Sequence, residues 1–89
     1  MIHYDVKIHG NVQGVGFRYH AKQAADDLGV FGWVKNESDG SVMLEAEGEE
    51  KILIQFLQWC RTGPRYAKIE KVDIAVSDIK NYSDFKILV

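Results

Sequence analysis

The spacing of apolar residues changes along this chain in an order that few folds accommodate. Tyr4, Val6 and Ile8 alternate with His3, Asp5, Lys7 and His9, the pattern of a strand with one buried face. Val12 carries that phase into a loop. From Phe17 the period lengthens, and Phe17, Ala21, Ala24, Ala25 and Leu28 form a helical stripe closed by Gly29, a good C-cap residue. Val30 to Asn36 predicts a second strand, and Ser38-Asp39-Gly40 a tight hairpin turn. Val42, Leu44 and Ala46 are then the inward positions of a third strand. Leu53, Phe56, Leu57 and Cys60 have the i, i+3, i+4, i+7 spacing of a second helix, which must stop before Gly63-Pro64. Ile69, Val72, Ile74 and Val76 mark a fourth strand whose alternation breaks at Glu70-Lys71, where a bulge is expected. Tyr82, Phe85, Ile87 and Val89 predict a short terminal strand or an extended segment pinned to the sheet.

The resulting order, β-α-β-β-α-β, is that of the α+β, ferredoxin-like split β-α-β sandwich, with two helices on one face of an antiparallel sheet. Eighty-nine residues make a single domain, 1–89, long enough to bury roughly 60% of the surface of the unfolded chain. With 46% hydrophobic and 27% charged residues, the chain has an ordinary globular composition, and its apolar runs fall far short of the ~20 residues that span a bilayer. Met1-Ile2-His3-Tyr4-Asp5 lacks the basic and apolar regions of a secretory signal, and Cys60 has no disulfide partner. Both facts predict a reducing, cytoplasmic setting. A net charge of -2 argues against nucleic-acid binding, which needs a basic face.

A small anion can still be held locally. Gly14-Val15-Gly16-Phe17-Arg18 is a glycine-bracketed loop that runs into a helix, so it presents backbone N–H groups beside a guanidinium. In this topology strands one and two run in the same direction, which brings Arg18 and Asn36 to one end of the sheet, with the Gly63-Pro64 turn. Arg18, Lys22 and Lys35 are the expected sources of positive charge there.

Other chemistry-bearing residues have structural readings. His3 and His9, outward on strand one, and His20, on the first helix, lack metal-ligand spacing and are expected at the surface. Cys60 reads as core packing, with no histidine placed to activate it. Glu45, Glu47, Glu49 and Glu50 read as a solvated strand face and a favourable first helical turn. Trp33 and Trp59 read as packing residues. An RNA-recognition module shares the element order, but its third strand needs stacking aromatics where Val42-Met43-Leu44-Glu45-Ala46-Glu47 offers acids. A nucleotide P-loop is excluded, because the glycines are not followed by Lys-Ser/Thr.

Val12-Gln13-Gly14-Val15-Gly16-Phe17-Arg18, with Gly29, Gly32-Trp33-Val34-Lys35-Asn36, Asp39-Gly40-Ser41-Val42 and Gly63-Pro64-Arg65-Tyr66-Ala67, strongly resembles the acylphosphatase family over nearly the whole chain. The resemblance implies a ferredoxin-like enzyme that hydrolyses the carboxyl-phosphate bond of a small acyl phosphate without metal or cofactor. Arg18 matches the family's phosphate-binding arginine, and Asn36 the asparagine that holds the attacking water. The backbone of Gly14, Val15, Gly16, Phe17 and Arg18 matches its phosphate cradle. Inorganic phosphate is then product and inhibitor, and the chain is expected to act as a monomer without nucleic-acid or membrane partners. Gly16 stands where a larger residue is common in the family, a departure expected to loosen the cradle. The rival within this resemblance is an accessory domain that keeps the loop to bind an anion without turning it over.

Overall fold

The computed structural model describes residues 1–89. The elements are β1 (Ile2–Asn11), α1 (Phe17–Leu28), β2 (Phe31–Asn36), β3 (Val42–Gly48), α2 (Glu50–Thr62), β4 (Lys68–Ser77) and β5 (Phe85–Ile87). They form a ferredoxin-like α+β sandwich around one five-stranded sheet of order β4-β1-β3-β2-β5. β3 runs antiparallel to both of its neighbours, so β1 and β2 point the same way and end at the same edge. No helix is long and apolar enough to cross a membrane.

The two periodicities meet in the core. The even positions Val6, Ile8, Val34, Val42, Leu44 and Ala46 face the helices and are fully buried. Against them pack Phe17, Ala21 and Ala25 of α1 and all four stripe residues of α2, Leu53, Phe56, Leu57 and Cys60. Ala24 and Leu28 flank this core, partly buried. α1 ends as expected: Gly29 takes the left-handed conformation, φ 85°, and its N–H donates to the Ala25 carbonyl at 2.8 Å. At the β2–β3 hairpin, the Asp39 carboxylate accepts from the Ser41 N–H at 3.0 Å and the Ser41 hydroxyl at 2.6 Å, which closes the turn. These two donors, with Lys7 at 2.9 Å, hold the Asp39 carboxyl well below the usual carboxylate range. The irregularity of β4 falls at the expected place, since His9 pairs with Lys71 and Gly10 with Ile69, leaving Glu70 as the extra residue.

The structure corrects two expectations. The sheet is mixed, because the terminal segment forms β5 and pairs with β2 in parallel. β4 and β5 occupy opposite edges, about 19 Å apart at normal strand spacing. Residues 78–84 are enough to span that gap, since a chain covers up to ~3.5 Å per residue, and they make one left-handed turn on the way, at Asn81 with φ 59°. They cross the face that the helices leave open, and this produces the second correction. His3, Glu45 and Glu47 lie on that outer face but are buried beneath the crossing chain. His9 and His20 do remain near the surface, as do Glu49 and Glu50.

The covered carboxylates each accept from several donors. Glu47 accepts from the Lys80 N–H, from the Tyr82 N–H at 3.0 Å and from His3 Nδ1 at 2.8 Å. Glu45 accepts from the Tyr82 hydroxyl at 2.8 Å and from Lys80 Nζ at 3.0 Å, while Trp33 Nε1 donates to the same Tyr82 oxygen at 3.1 Å. Burial pushes the Glu47 carboxyl up, but the Lys80 N–H, the His3 ring and the Tyr82 N–H outweigh it and hold it below its ordinary value of 4.5. The folded value is the lower one, so its stabilising contribution is complete above 4.5 and disappears as pH falls through the folded value.

Glu47→Gln replaces an acceptor of N–H groups by a half-donating amide and removes the charge. We expect a loss of about 2–3 kcal/mol, seen by circular dichroism as a thermal midpoint about 10 °C or more lower at pH 7. The gap from wild type should close on acidification; equal midpoints at pH 7 would contradict the clamp. Gly32→Ala should abolish folding, because a Cβ there would stand 1.8 Å from the Glu45 carbonyl oxygen, with φ at 145°.

Candidate active site

The shared end of β1 and β2 carries a cavity of about 210 Å³, lined by Val12, Gly14, Gly16, Phe17, Arg18, Tyr19, Asn36 and Ile87. That is smaller than the roughly 300–1,000 Å³ of sites for drug-sized ligands, and suits a small charged group. Each side chain arrives there by period. Asn36 shares the helix-facing phase of Val34 at the last rung of β2, paired to Val42, and so points to the same side of the sheet as α1. Arg18 lies in the first turn of α1, directly after the loop.

The loop's backbone is arranged as a set of donors. Gly14 and Gly16 have φ of 76° and 77°, conformations that other residues adopt at a cost, and Gly16 is the N-cap of α1 without a side-chain cap. The first backbone bond of the helix runs from the His20 N–H to the Gly16 carbonyl at 3.0 Å. The N–H groups of Phe17, Arg18 and Tyr19 therefore have no intrahelical acceptor and point out of the helix N-terminus. The Gly16 carbonyl is engaged a second time, by His20 Nδ1 at 2.8 Å. That contact restrains the loop at Gly16, where the sequence alone predicts a looser cradle. Val15, the remaining member of the expected cradle, is half-buried and packs against the core instead of lining the cavity.

The positive charge is narrower than the sequence suggests. Lys35 alternates onto the outer face of β2, where its ammonium lies over the Trp33 ring at 5.5 Å. Lys22 reaches away to Asp26 at 2.9 Å and to the Phe85 carbonyl at 3.0 Å. Arg18 is thus the only cation in the lining, and the lining contains no carboxylate, histidine or thiol. Cys60 sits in the core between the layers, where burial pushes its thiol far above its ordinary value, which leaves it inert as a nucleophile.

One group elsewhere has metal-ligand spacing. His3, Asp5 and Glu45 bring ligand atoms within 4.8 Å of one another, a convergence that the spacing of histidines along the chain does not reveal. It lies at the opposite end of β1, under the 78–84 crossing, and Lys80 and Tyr82 already donate to its Glu45 oxygen. Ile87, by contrast, belongs to the cavity and was not among the expected site residues. Its place depends on the parallel pairing of β5, which carries the chain from the crossover back to the cavity end.

Comparison with known proteins agrees with this geometry. The family model described as Acylphosphatase matches residues 4–87. A relative named acylphosphatase from Archaeoglobus fulgidus is 42% identical over 87 residues, covering 98% of both chains. Another, from a Nocardioides species, is 51% identical over 70 residues, covering 79% of this chain and 71% of its own. The crystal structure of acylphosphatase from Bacillus subtilis superimposes with a TM-score of 0.97 at 36% identity, with complete coverage of both chains. The chain belongs to the acylphosphatase family of hydrolases.

Proposed function

We propose that the chain hydrolyses acyl phosphates by direct attack of a water held by Asn36 on phosphorus, with Arg18 and the N–H groups of the Gly14–Arg18 loop holding the phosphoryl group. The observation that carries this is the composition of the cavity: one guanidinium, a helix N-terminus and one amide side chain, with the exposed Tyr19 phenol as the only other polar side chain and no carboxylate, histidine or thiol. Phosphoryl transfer passes through a loose transition state whose charge lies on the equatorial oxygens, so positioning and charge stabilisation supply most of the rate. Arg18 and the free N–H groups supply the stabilisation. The leaving group is a carboxylate, whose conjugate acid has a pKa near ~4 by analogy with Asp and Glu, so it departs as an anion without a general acid. A lining without a carboxylic acid or a histidine is therefore sufficient for this bond.

Asn36 supplies the orientation. Its carbonyl oxygen accepts from a water and its amide donates, which fixes the water in line with the leaving oxygen, although an amide is too weak a base to deprotonate it. Inorganic phosphate occupies the same cradle as product and competes with substrate. The reaction draws on no metal in this scheme, since the charge it needs comes from Arg18 and the backbone dipoles.

Benzoyl phosphate should be hydrolysed in the presence of a chelator while a phosphate monoester is left intact; a chain that binds phosphate but turns over neither is an accessory anion-binding domain instead. Arg18→Gln should remove turnover and phosphate inhibition together, and full activity in that variant would overturn the assignment. Asn36→Ala should keep the inhibition constant for phosphate and lose roughly 10²-fold in kcat. Weaker phosphate binding with an unchanged kcat would make Asn36 a substrate clamp.

A further inference from the structure

The cradle and the water-holding residue are on separate segments, and one side chain joins them. Gln13, between the buried Val12 and the left-handed Gly14, sends its amide nitrogen across to the β2–β3 hairpin. Nε2 donates to the Glu37 carbonyl at 2.7 Å and to the Ser41 carbonyl at 2.8 Å. An amide nitrogen has two N–H groups, so this nitrogen is fully used and its orientation is fixed. Glu37 directly follows Asn36 in the chain. Its N–H also donates to the Ser41 carbonyl, at 2.9 Å, so Gln13 grips the neck of the hairpin at the place where Asn36 leaves the sheet.

The grip has a mechanical purpose. Gly14 and Gly16 give the loop its left-handed turns, and neither glycine has a side chain to fix the loop against β2. Asn36 is the last rung of its strand, at the entry to the turn. Neither segment is otherwise bonded to the other by a side chain: His20 secures Gly16 only to its own helix, and Asp39 secures Ser41 only to its own turn. We infer that Gln13 is the positioning residue that holds Asn36 in register with the phosphate cradle, through its two hydrogen bonds to the Glu37 and Ser41 carbonyls. This rests on the hydrolytic role proposed above for Arg18 and Asn36. Gln13 does not line the cavity, so it acts through the distance between the two and touches neither substrate nor water.

Gln13→Met keeps the length of the side chain and removes both donors. With benzoyl phosphate as substrate, at a temperature well below the variant's unfolding midpoint, kcat should fall roughly 10- to 100-fold, the scale of an ångström-sized misplacement. The inhibition constant for inorganic phosphate should stay within about threefold, because Arg18 and the helix N-terminus remain in place. A kcat within twofold of wild type would overturn the inference. So would a parallel loss of kcat and phosphate affinity, which would make Gln13 a determinant of the cradle itself. Should the variant fail to fold, nuclear magnetic resonance of the wild type decides: couplings across the hydrogen bonds from the Gln13 amide to the Glu37 and Ser41 carbonyls are expected, and a freely exchanging, averaged amide pair would overturn the inference. Wild-type protein unable to hydrolyse benzoyl phosphate would remove the hydrolytic reading and this one with it. An active wild type with an unaffected variant removes only the role of Gln13.

Discussion

β3 lies between β1 and β2 and runs against both, and the site depends on that single arrangement. Two strands antiparallel to a common neighbour must point the same way, so the loop leaving β1 and the last residue of β2 are delivered to one edge. The helix between them returns the chain to its starting side, and its own N-terminus opens at the same edge. The backbone dipoles of α1, the guanidinium of Arg18 and the amide of Asn36 therefore converge with no element dedicated to bringing them together. The cavity is a consequence of the topology, and what remains to be set is sub-ångström distance. That setting falls to side chains such as Gln13 and His20, which bond to carbonyls and not to the ligand.

The same topology creates a cost at the other face. With β4 and β5 at opposite edges, the chain must travel across the open side of the sheet, and any charged side chain in its path loses water. Glu45 and Glu47 are kept because the crossing segment brings its own donors: the N–H groups of Lys80 and Tyr82, the Lys80 ammonium and the Tyr82 hydroxyl. His3 closes the network from β1. The crossover thus replaces the hydration it removes, and it fixes the start of β5. Because β5 runs parallel to β2, that docking also determines where Ile87 reaches the cavity.

Which of these features could be read from the chain follows from the range of the interactions that produce them. The strands and helices, the Gly29 cap, the Asp39-Gly40 turn and the bulge at Glu70 are set by neighbours a few residues away, and periodicity and turn chemistry expose them. Arg18 and Asn36 follow one step later, from topology. His3, Glu45 and Glu47 looked solvated because alternation places them outward, and alternation carries no information about a segment 33 residues or more distant laid over that face. The parallel pairing of β5 was hidden for a related reason: Phe85–Ile87 is too short for a period to give its direction. Lys35 was the opposite case, since the alternation that puts Val34 inside already sends Lys35 to the far face.

Removing Lys22 and Lys35 from the cavity sharpens the chemistry. The charge the cavity offers is then that of Arg18 and the backbone, and only the part of their interaction that strengthens toward the transition state raises kcat. Here one guanidinium stands beside a helix N-terminus whose N–H groups are fixed in direction by the αL turn at Gly16. Fixed donors favour the geometry they are aimed at over any other, which is the basis of electrostatic preorganisation. With no carboxylate or histidine in the lining, the proposed reaction suits bonds whose leaving group departs unaided. An acyl phosphate meets that condition and an alkyl phosphate does not, because an alkoxide is too basic to depart without a proton, and no carboxylic acid or imidazolium lines the cavity to give one.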